Sequence, residues 1–401
     1  MMAARANMTV GILGAGQLGL MLAESLSNLG GHVRMLDPNP QSPGALRTPF
    51  VTCASFEDEN ALRDFFAQCD RVTYEFEHIP TAALRRILEE PTQRKKLWPS
   101  VLVLENAQNR IAEKKALARV GAPLTPWTEI NSLAELEEQS SVWLGNKRHG
   151  LLKTASGGYD GKGQWRLADA ADWANALANL PDSARAFPMV LEEKCELETE
   201  ISVIVGRHPT LGTFIFPAVE NIHVNGILDT TLFPARLPYE LCEKARAVAE
   251  KIADSWDVFG LLCVEFFVVR RNGEHALLVN EVAPRPHNSG HVTRRSMSRS
   301  QFDILAQILL DLPFVSQQVS PDRTWAMWNT LGDLWSSHSA AWPAELLAHS
   351  AVCEAMLYGK PGVRAGRKMG HVILSAPNHA ALTKNIDHLR STFTNKKGGH
   401  G

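Results

Sequence analysis

Two glutamates lie in apolar segments where they could hold a divalent cation. Glu265 interrupts the apolar run Leu261–Val269, and Glu281 ends the next apolar run along the chain. A carboxylate in a buried strand must be ion-paired or bound to a metal, because its desolvation is costly. Ligands that are all oxygen favour Mg²⁺. The pair therefore predicts a magnesium site, with two solvated acids on a half-exposed hairpin as the alternative.

The separation of the two acids depends on the hairpin that joins their segments. Asn272-Gly273 is a strong signal for a tight turn. A three-residue loop would place Glu265 directly opposite Glu281. A two-residue turn would place Glu265 opposite Asn280, and Glu281 would then need a bulge to join it. Both alternatives bring the acids and Asn280 into one small region.

A polar strip follows the second acid directly. Residues 284–291 read PRPHNSGH, so that prolines, an arginine, two histidines and an asparagine fall within eight residues. Such a strip is rigid and rich in hydrogen-bond donors. By itself it fits a structural loop as well as a site. Beside two acids of the kind that bind metals, it predicts a segment that orients a substrate.

A glycine-rich loop separates two predicted strands, Leu151–Lys153 and Gln164–Leu167. It carries four glycines within the seven residues Gly157–Gly163, which is costly in an ordinary hairpin because each glycine loses extra chain entropy. It is not the P-loop that connects a strand to a helix. Its amides, together with Lys153 and Lys162, could cover the phosphates of a nucleotide. A plain turn is the alternative.

Acidic residues near the following strands could complete a nucleotide site. Glu192-Glu193-Lys194-Cys195 ends one predicted strand, and Glu200 lies on the next. A backbone edge and a carboxylate at that place could hold an adenine and a ribose. Without further context, acids at strand ends are usually only solvated.

A second glycine motif opens the first predicted helix. GAGQLG at Gly14–Gly19 follows a strand, and Asp37 ends the next strand, as in dinucleotide-binding folds. Free amides at the start of the helix favour an anion. The motif fits a nicotinamide or flavin cofactor, a turn that needs glycine for backbone reasons only, or a site for another phosphate or acid.

These motifs need two kinds of scaffold. Over the first hundred residues, short strands alternate with helices, beginning with Thr9–Leu13 and Gln17–Leu29. This α/β pattern predicts a parallel, doubly wound sheet. From Leu151 onward strands dominate, among them Thr213–Val219, and predict an α+β unit with antiparallel sheets. We predict three domains: 1–107, 108–320 and 321–401, the last with a disordered tail from Asn395.

Composition and charge narrow the class of protein. The chain has 401 residues, of which 45% are apolar and 21% charged, as in ordinary globular proteins of more than one domain. Its formal charge of −2 creates no global field for nucleic acid or anionic membrane. No apolar stretch approaches the roughly 20 residues of a membrane span. The six cysteines form no C-x-x-C pair, and no secretion signal is recognisable. We expect a cytoplasmic protein with reduced thiols that binds neither nucleic acid nor membrane.

Six stretches of the chain carry a recognisable pattern: GILGAGQLG at 11–19, YEFEHIP at 74–80, GGYDGKGQW at 157–165, ENIHVNGIL at 220–228, NEVAPRPHNSGH at 280–291 and YGKPGVRAGRKMGH at 358–371. Together they resemble the N5-carboxyaminoimidazole ribonucleotide synthetases, ATP-grasp enzymes of bacterial and fungal purine biosynthesis. The resemblance, from about residue 9 to 372, implies a Rossmann-like N-terminal domain, a central ATP-grasp domain and a small C-terminal domain.

The reaction that this resemblance implies is a carboxylation. ATP and bicarbonate would give carboxyphosphate, with Mg²⁺ as cofactor. The carboxyl group would pass to the amine of 5-aminoimidazole ribonucleotide, giving N5-carboxyaminoimidazole ribonucleotide, ADP and phosphate. The resemblance also implies a homodimer and a separate mutase that takes the product.

The resemblance implies roles for individual residues as well. The residues that would contact ATP are Arg110, Lys153, Gly158, Tyr159, Asp160, Gly161, Lys162, Gly163, Gln164, His223, Asn280 and Glu281, with Glu192, Glu193, Lys194 and Cys195 as the adenine hinge and Glu200 on the ribose. The residues that would hold magnesium are Glu265 and Glu281. The residues that would face carboxyphosphate and the aminoimidazole are Tyr159, Asp160, Arg285, His287 and Asn288. The ribonucleotide would be bound through its phosphate by Lys360 and Arg367, with Gln17, Leu18 and Glu75 on the opposite wall.

Some positions depart from the commoner pattern of that family. The loop reads Thr154-Ala155-Ser156 where basic residues often stand, the hinge reads Lys194-Cys195, and residues 294–299 are unusually basic. Three rival functions remain as alternatives. A formate-dependent glycinamide ribonucleotide transformylase would differ in the PRPHNSGH strip. A nicotinamide-dependent dehydrogenase would rest on the first glycine motif alone. A non-catalytic ATP-binding module would lack the two acids.

Overall fold

The computed structural model describes residues 7–157, 163–180, 187–271, 273–314, 322–335 and 341–394. Gly158 to Lys162 of the glycine-rich loop therefore lie outside the described residues, and so do Asn272 and the tail from Asn395. The roles predicted for Gly158, Tyr159, Asp160, Gly161 and Lys162 accordingly stay predictions.

The N-terminal part forms a parallel sheet with helices on its faces. Its elements are β1 (Thr9–Leu13), α1 (Gln17–Asn28), β2 (His32–Leu36), β3 (Val51–Thr52), α2 (Glu59–Ala67), β4 (Arg71–Tyr74) and α3 (Thr81–Leu88). The strand order is β3-β2-β1-β4, and every pairing is parallel. This confirms the predicted doubly wound arrangement. It also places the carboxyl ends of β1, β2 and β4 at one edge of the sheet.

A smaller antiparallel sheet follows. Its region comprises α4 (Val101–Gln108), α5 (Arg110–Arg119), β5 (Trp127–Ile130), α6 (Leu133–Gly145), β6 (Gly150–Thr154), β7 (Gln164–Leu167), α7 (Ala170–Ala178) and β8 (Met189–Glu193). The strand order is β5-β8-β6-β7. The glycine-rich loop connects β6 to β7, in agreement with its predicted place between two antiparallel strands.

The remaining strands form one large sheet. Its region comprises β9 (Leu197–His208), β10 (Gly212–Ile215), β11 (Val219–Val224), β12 (Ile227–Phe233), α8 (Tyr239–Ser255), β13 (Gly260–Arg271), β14 (Glu274–Ala283), α9 (Thr293–Ser296), α10 (Gln301–Leu309), β15 (Thr324–Leu331), α11 (Ala344–Ala348), β16 (Val352–Leu357), β17 (Lys368–Ala376) and α12 (His379–Thr394). The order is β14-β13-β9-β11-β12-β15-β17-β16, with β10 paired to β9.

One sequence-based expectation differs from this sheet. The single strand expected at Thr213–Val219 is wrong: β10 ends at Ile215 and β11 begins at Val219. Pro217 lies between them and lacks the N–H that a ladder needs. The pairing of β12 with β15 carries the sheet across residue 321, where the third domain was predicted to begin. The domain boundary itself stays a prediction.

Helices on opposite faces of the large sheet hold the parts together. Alternate residues of β9 point to opposite faces, so that Val203 packs against α8 while Ile204 packs against α10. The same core that contains Phe302 of α10 includes Met21 of α1. The Ser25 hydroxyl of α1 also donates a hydrogen bond to Asp303 at 2.8 Å. The N-terminal sheet is thereby fixed against the large sheet, and a cleft lies between them.

Candidate active site

The hairpin of β13 and β14 brings the two acids face to face. Arg271 pairs with Glu274, which leaves a two-residue turn between them. The register shifts between Glu265 and Phe266, so that Asn280 is the extra residue of a bulge and Glu265 lies opposite Glu281. Of the two alternatives that the sequence left open, the two-residue turn with a bulge is therefore correct.

The two carboxylates have different surroundings. Burial alone would raise the pKa of Glu265, but His287, whose Nε2 lies 2.8 Å from Glu265 Oε1, keeps that pKa below its ordinary value. Desolvation and the neighbouring charge of Glu265 raise the pKa of Glu281. Arg110 Nη1 lies as far as 3.8 Å from Glu281 Oε2, so this ion pair is a long one. An added cation between the two carboxylates would relieve this repulsion.

The donor set around Glu265 fits a divalent cation. Glu200 Oε1 lies 3.2 Å from His223 Nδ1, and each of these residues offers a ligand atom within 4.8 Å of one on Glu265. Carboxylate oxygens from Glu200, Glu265 and Glu281 are the ligands that Mg²⁺ prefers. The His223 pKa is raised: burial opposes the shift, but the hydrogen bond to Glu200 outweighs it. A protonated His223 could not serve as a metal ligand.

A buried carboxylate joins two lysines on the other side of the cleft. Glu192 accepts from Lys153 Nζ at 2.9 Å, and Lys114 Nζ lies 3.2 Å from its second oxygen. All three side chains are buried. Burial acts to raise the pKa of Glu192, but the two ammonium groups lower it below its ordinary value. The Glu192 side chain thus holds the ammonium groups of Lys114 and Lys153 side by side. The adenine contact predicted for Glu192 stays a prediction.

Sequence reasoning missed Lys114. It lies on α5 one turn after Arg110, which the sequence did single out. Residues four apart lie on one face of a helix. That spacing was the signal that could have found Lys114, because α5 must turn the face that carries Arg110 toward the cleft.

The predicted hinge lines an open recess at the edge of the smaller sheet. The recess is lined by Lys147, Arg148, His149, Glu193, Lys194, Cys195 and Glu196. The amide of Glu193 donates to Pro126 O, and that of Lys194 donates to His149 O, both at 2.9 Å. An adenine at this edge would therefore have to use other backbone groups. The Cys195 thiol lies 3.9 Å from the Thr125 hydroxyl.

The polar strip is tied to the rest of the cleft by specific contacts. Arg285 forms a two-pronged ion pair with Glu77 of the N-terminal part, which holds the pKa of that carboxyl down at about 2 even though burial acts to raise it. The amides of Asn288 and Asn329 bond to each other. Burial opposes protonation of His287, but the neighbouring Cys263 and Glu265 raise its pKa to about 10.

A small recess opens beside this strip. Its polar lining includes Glu77, Gln108, Arg110, Glu281, Arg285 and His287. It lies where the N-terminal part, α4, α5 and the start of the glycine-rich loop meet. The structure thus brings Arg110 and Glu281, which were predicted to contact ATP, together with Arg285 and His287, which were predicted to face carboxyphosphate and the aminoimidazole. These roles stay predictions.

The first glycine motif binds an anion that the chain itself supplies. The amides of Gly16 and Gly19 donate to the two carboxylate oxygens of Glu75, and the Ala15 amide donates to Asp37 Oδ2 at 2.7 Å. A Cβ added at Gly14, Gly16 or Gly19 would approach Glu75 to between 2.5 and 3.3 Å. The motif therefore needs glycine because Glu75 packs against it, and this helix end is not available to a dinucleotide.

The other residues predicted for the ribonucleotide lie around this helix end and on the C-terminal strands. Leu18 is buried in the core, so that only its backbone could contact a ligand, while Gln17 is half-buried. Lys360 Nζ donates to Lys368 O at 3.0 Å, and Arg367 Nη1 donates to Gly362 O at 2.8 Å. Burial, followed by the charge of Arg364, lowers the Arg367 pKa. Arg47 donates to Leu357 O at 2.7 Å, just before Lys360.

Comparison with known proteins gives a consistent picture along the whole chain. Residues 7–108 match the ribonucleotide synthetase pre-ATP-grasp domain, residues 115–302 the ATP-grasp domain, and residues 326–385 the phosphoribosylaminoimidazole carboxylase C-terminal domain. None of the helices among the described residues is both long and apolar enough to span a membrane.

Similar proteins and structures cover nearly the full length. The N5-carboxyaminoimidazole ribonucleotide synthase of Brucella melitensis is 37% identical over 371 residues, which is 92% of this chain and 96% of that protein. The Bacillus subtilis synthase is 34% identical over 97% of this chain and 96% of its own. An N5-carboxyaminoimidazole ribonucleotide synthetase in its ADP complex superposes with a TM-score of 0.86 at 34% identity, covering 99% of this chain and 100% of that one. An Aspergillus clavatus synthase in complex with ADP and 5-aminoimidazole ribonucleotide superposes with a TM-score of 0.83 at 30% sequence identity. The superposition covers 97% of this chain and 99% of that one. The chain therefore belongs to the N5-carboxyaminoimidazole ribonucleotide synthase family of ATP-grasp ligases.

Proposed function

We propose that this chain carries out the carboxylation for which its family is named. ATP and bicarbonate form carboxyphosphate, and its carboxyl group is delivered to the amine of 5-aminoimidazole ribonucleotide in purine biosynthesis. The products are N5-carboxyaminoimidazole ribonucleotide, ADP and phosphate. The observation that carries the proposal is the facing pair of Glu265 and Glu281, which lies beside the small recess that Arg285 and His287 of the PRPHNSGH strip help to line.

Charge neutralisation is the first task of this cleft. Lys153 and Lys114 are held together by Glu192, and both ammonium groups would face the phosphates once ATP enters. Mg²⁺ would be held by Glu265 and Glu281, and it supplies the positive charge that phosphoryl transfer to bicarbonate requires. Because Glu281 is incompletely neutralised by protein groups, it is well suited to a metal.

Orientation of the carboxyl donor is the second task. Arg285 and His287 line the recess, and Asn288 is fixed by Asn329. These groups would hold the donor near the amine, together with Tyr159 and Asp160 of the glycine-rich loop. Exclusion of water matters here, because carboxyphosphate hydrolyses readily if it is exposed.

Binding of the ribonucleotide phosphate is assigned to Lys360 and Arg367. We expect Lys360→Ala to raise the KM for the ribonucleotide about tenfold or more, because a charged hydrogen bond contributes about 1.5–3 kcal/mol. The KM for ATP should change much less. Steady-state kinetics with each substrate varied in turn measure both values.

The control for this variant is Lys384→Ala, which removes an exposed lysine from α12. It should leave both KM values unchanged. An equal effect of Lys360→Ala on the two substrates would contradict a phosphate role.

The assembly and location follow the same proposal. We propose a cytoplasmic homodimer whose product passes to a separate mutase. The size of the particle by light scattering tests the dimer directly.

The function itself is tested by ADP release from the purified protein with ATP, Mg²⁺ and bicarbonate, with and without the ribonucleotide. Strong stimulation by 5-aminoimidazole ribonucleotide is the expected result. ADP release that does not depend on the ribonucleotide would point to another acceptor, and the absence of any release would overturn the proposal.

A further inference from the structure

Tyr358 is a buried aromatic residue beside the lysine to which the ribonucleotide phosphate is assigned. It has an exposed fraction of 0%, although it lies only two residues before Lys360. The Lys360 ammonium lies over the Tyr358 ring, with Nζ 5.2 Å from the ring centroid. A cation within about 6 Å of the centroid is attracted to the face of an aromatic ring. The proposed function gives Tyr358 no role.

A backbone carbonyl holds the same ammonium from a second side. Lys360 Nζ donates to Lys368 O at 3.0 Å, while the Tyr358 amide donates to Met369 O at 2.9 Å. Residues 358–360 therefore run beside the start of β17. Between them Gly359 has a φ of 74°, a conformation that favours glycine. This turn lets the Lys360 side chain lie back over the Tyr358 ring.

The Tyr358 ring is held in turn by a buried ionic network. Its hydroxyl lies 2.9 Å from His371 Nδ1, and His371 Nε2 lies 3.2 Å from Glu354 Oε1. Burial keeps the pKa of His371 below its ordinary value, so the neutral imidazole accepts from Tyr358 and donates to Glu354. Glu354 also pairs with Arg294 Nε at 2.7 Å and with Arg295 Nε at 2.8 Å. The hydroxyl end of the ring is thus tied to a charged cluster that cannot easily move.

This network accounts for two residues of the basic segment 294–299, which departs from the commoner family pattern. Arg294 and Arg295 belong to α9, just after the PRPHNSGH strip, and both reach Glu354 on β16. Only 8% of the Glu354 side chain is exposed, and a carboxylate buried to that extent needs counter-charges. The two arginines supply them and connect the end of the strip with Tyr358.

Lys360 also acts on the first glycine motif. Burial raises the pKa of Glu75, whereas the amides of Gly19 and Gly16 and the charge of Lys360 act to lower it. The ammonium is therefore close enough to interact with the wall of the cleft that carries Glu75. Neither the Tyr358 ring nor a backbone carbonyl has a net charge, so these two contacts fix the ammonium without neutralising it.

We infer that Tyr358 is a positioning residue that holds the Lys360 ammonium in place for the phosphate of the ribonucleotide, and that His371 and Glu354 keep the Tyr358 ring in position. A lysine that is held in advance loses less side-chain freedom when the phosphate binds. The Tyr358 ring thereby strengthens the preference for a ribonucleotide over the ribonucleoside, which lacks the phosphate. The inference rests on the proposed function, because it uses the substrate assigned there.

Calorimetric titration with 5-aminoimidazole ribonucleotide, with its ribonucleoside and with ATP, each alone, tests this role without turnover. We expect Tyr358→Leu to raise the Kd for the ribonucleotide about 3- to 30-fold and to leave the other two Kd values unchanged. A purely structural role would change all three or none. In a Lys360→Ala background the same substitution should cost nothing further, because the ring acts through Lys360. Tyr239→Leu makes the same change at an exposed position of α8 and should alter no Kd.

A second pair of variants keeps the test decisive if Tyr358→Leu does not fold. Tyr358→Phe keeps the ring, and 3,4,5-trifluorophenylalanine at the same position keeps nearly the same shape but withdraws negative charge from the ring face. The fluorinated variant should bind the ribonucleotide about threefold or more weakly than Tyr358→Phe. Equal Kd values for these two variants would overturn the inference, and so would an unchanged ribonucleotide Kd in Tyr358→Leu.

These results separate the inference from the proposed reaction. Binding of the ribonucleotide that depends on Tyr358, without any ADP release, would contradict the reaction and leave the role of Tyr358 standing. Normal ADP release with the same ribonucleotide Kd in every Tyr358 variant would do the reverse. An unsubstituted protein that does not bind the ribonucleotide would overturn both.

Discussion

Replacement of Glu281 by alanine is expected to lower ADP formation about 100- to 1000-fold, the usual loss when a group that stabilises transition-state charge is removed. Glu281 lies opposite Glu265 across the hairpin, and burial together with the charge of Glu265 raises the pKa of Glu281. In the proposed site, Mg²⁺ would supply the positive charge that offsets this repulsion. Without Glu281 the metal would lose one of its two facing carboxylates. Coupled ADP assays at saturating ATP and ribonucleotide measure the effect.

The fold should survive this change. About half of the Glu281 side-chain surface is exposed, and its removal relieves repulsion with Glu265. The melting temperature of Glu281→Ala should therefore be close to that of the unsubstituted protein. Glu274→Ala is the matched control, since Glu274 begins the same strand at an exposed position. Normal ADP formation by Glu281→Ala would remove the metal assignment.

The β13–β14 hairpin shows how much of the site could be predicted from the sequence. The turn and the two acids were predictable from Asn272-Gly273 and from the apolar runs around Glu265 and Glu281. The bulge at Asn280 was not, because the sequence left two loop lengths open. The register of the whole β13–β14 pair decides between the two loop lengths. That register depends on the packing of all the paired residues and is not encoded in any short segment.

The first glycine motif shows a second limit. Its position between a strand and a helix was predicted correctly, but the phosphate or acid expected there was a bound ligand and not a side chain of the protein. The carboxylate at the helix end is that of Glu75, which is 59 residues away from Gly16 in sequence. It reaches the motif because β1 and β4 are parallel neighbours and end at the same edge. Only the strand order reveals this neighbour, and strand order is a property of the whole fold.

Long-range pairing explains the remaining differences. β12 pairs with β15, so the large sheet continues across residue 321, and the domain boundary predicted there stays a prediction. The spacing from Arg110 could have placed Lys114 on the face of α5 toward the cleft, but the sequence does not show that it meets Lys153 at Glu192. The site as a whole could be predicted from the sequence only through the family resemblance. The individual motifs left several functions open.

Glu77→Ala is expected to give the largest loss of stability. Glu77 and Arg285 form an ion pair between the N-terminal part and the polar strip, and both side chains are mostly shielded from water. Removal of one partner leaves the Arg285 guanidinium buried without its counter-charge, which costs about 3–5 kcal/mol. The free energy of unfolding from urea titrations at neutral pH measures the loss. The double variant Glu77→Ala/Arg285→Met should regain much of it, because no buried charge remains.

The stabilisation by the Glu77–Arg285 ion pair should depend on pH in a definite direction. Arg285 lowers the pKa of Glu77 to about 2 in the folded protein. In the unfolded protein a glutamate has a pKa of about 4.3. The stabilisation is therefore fully present above about pH 4.3 and is lost as the pH falls toward 2. The difference in unfolding free energy between the unsubstituted protein and Glu77→Ala should shrink over that window. Glu105→Ala, which breaks the exposed pair with Arg85, should change stability little at any pH. Equal losses in Glu77→Ala and Glu105→Ala would show that the Arg285 pair does not hold the cleft together.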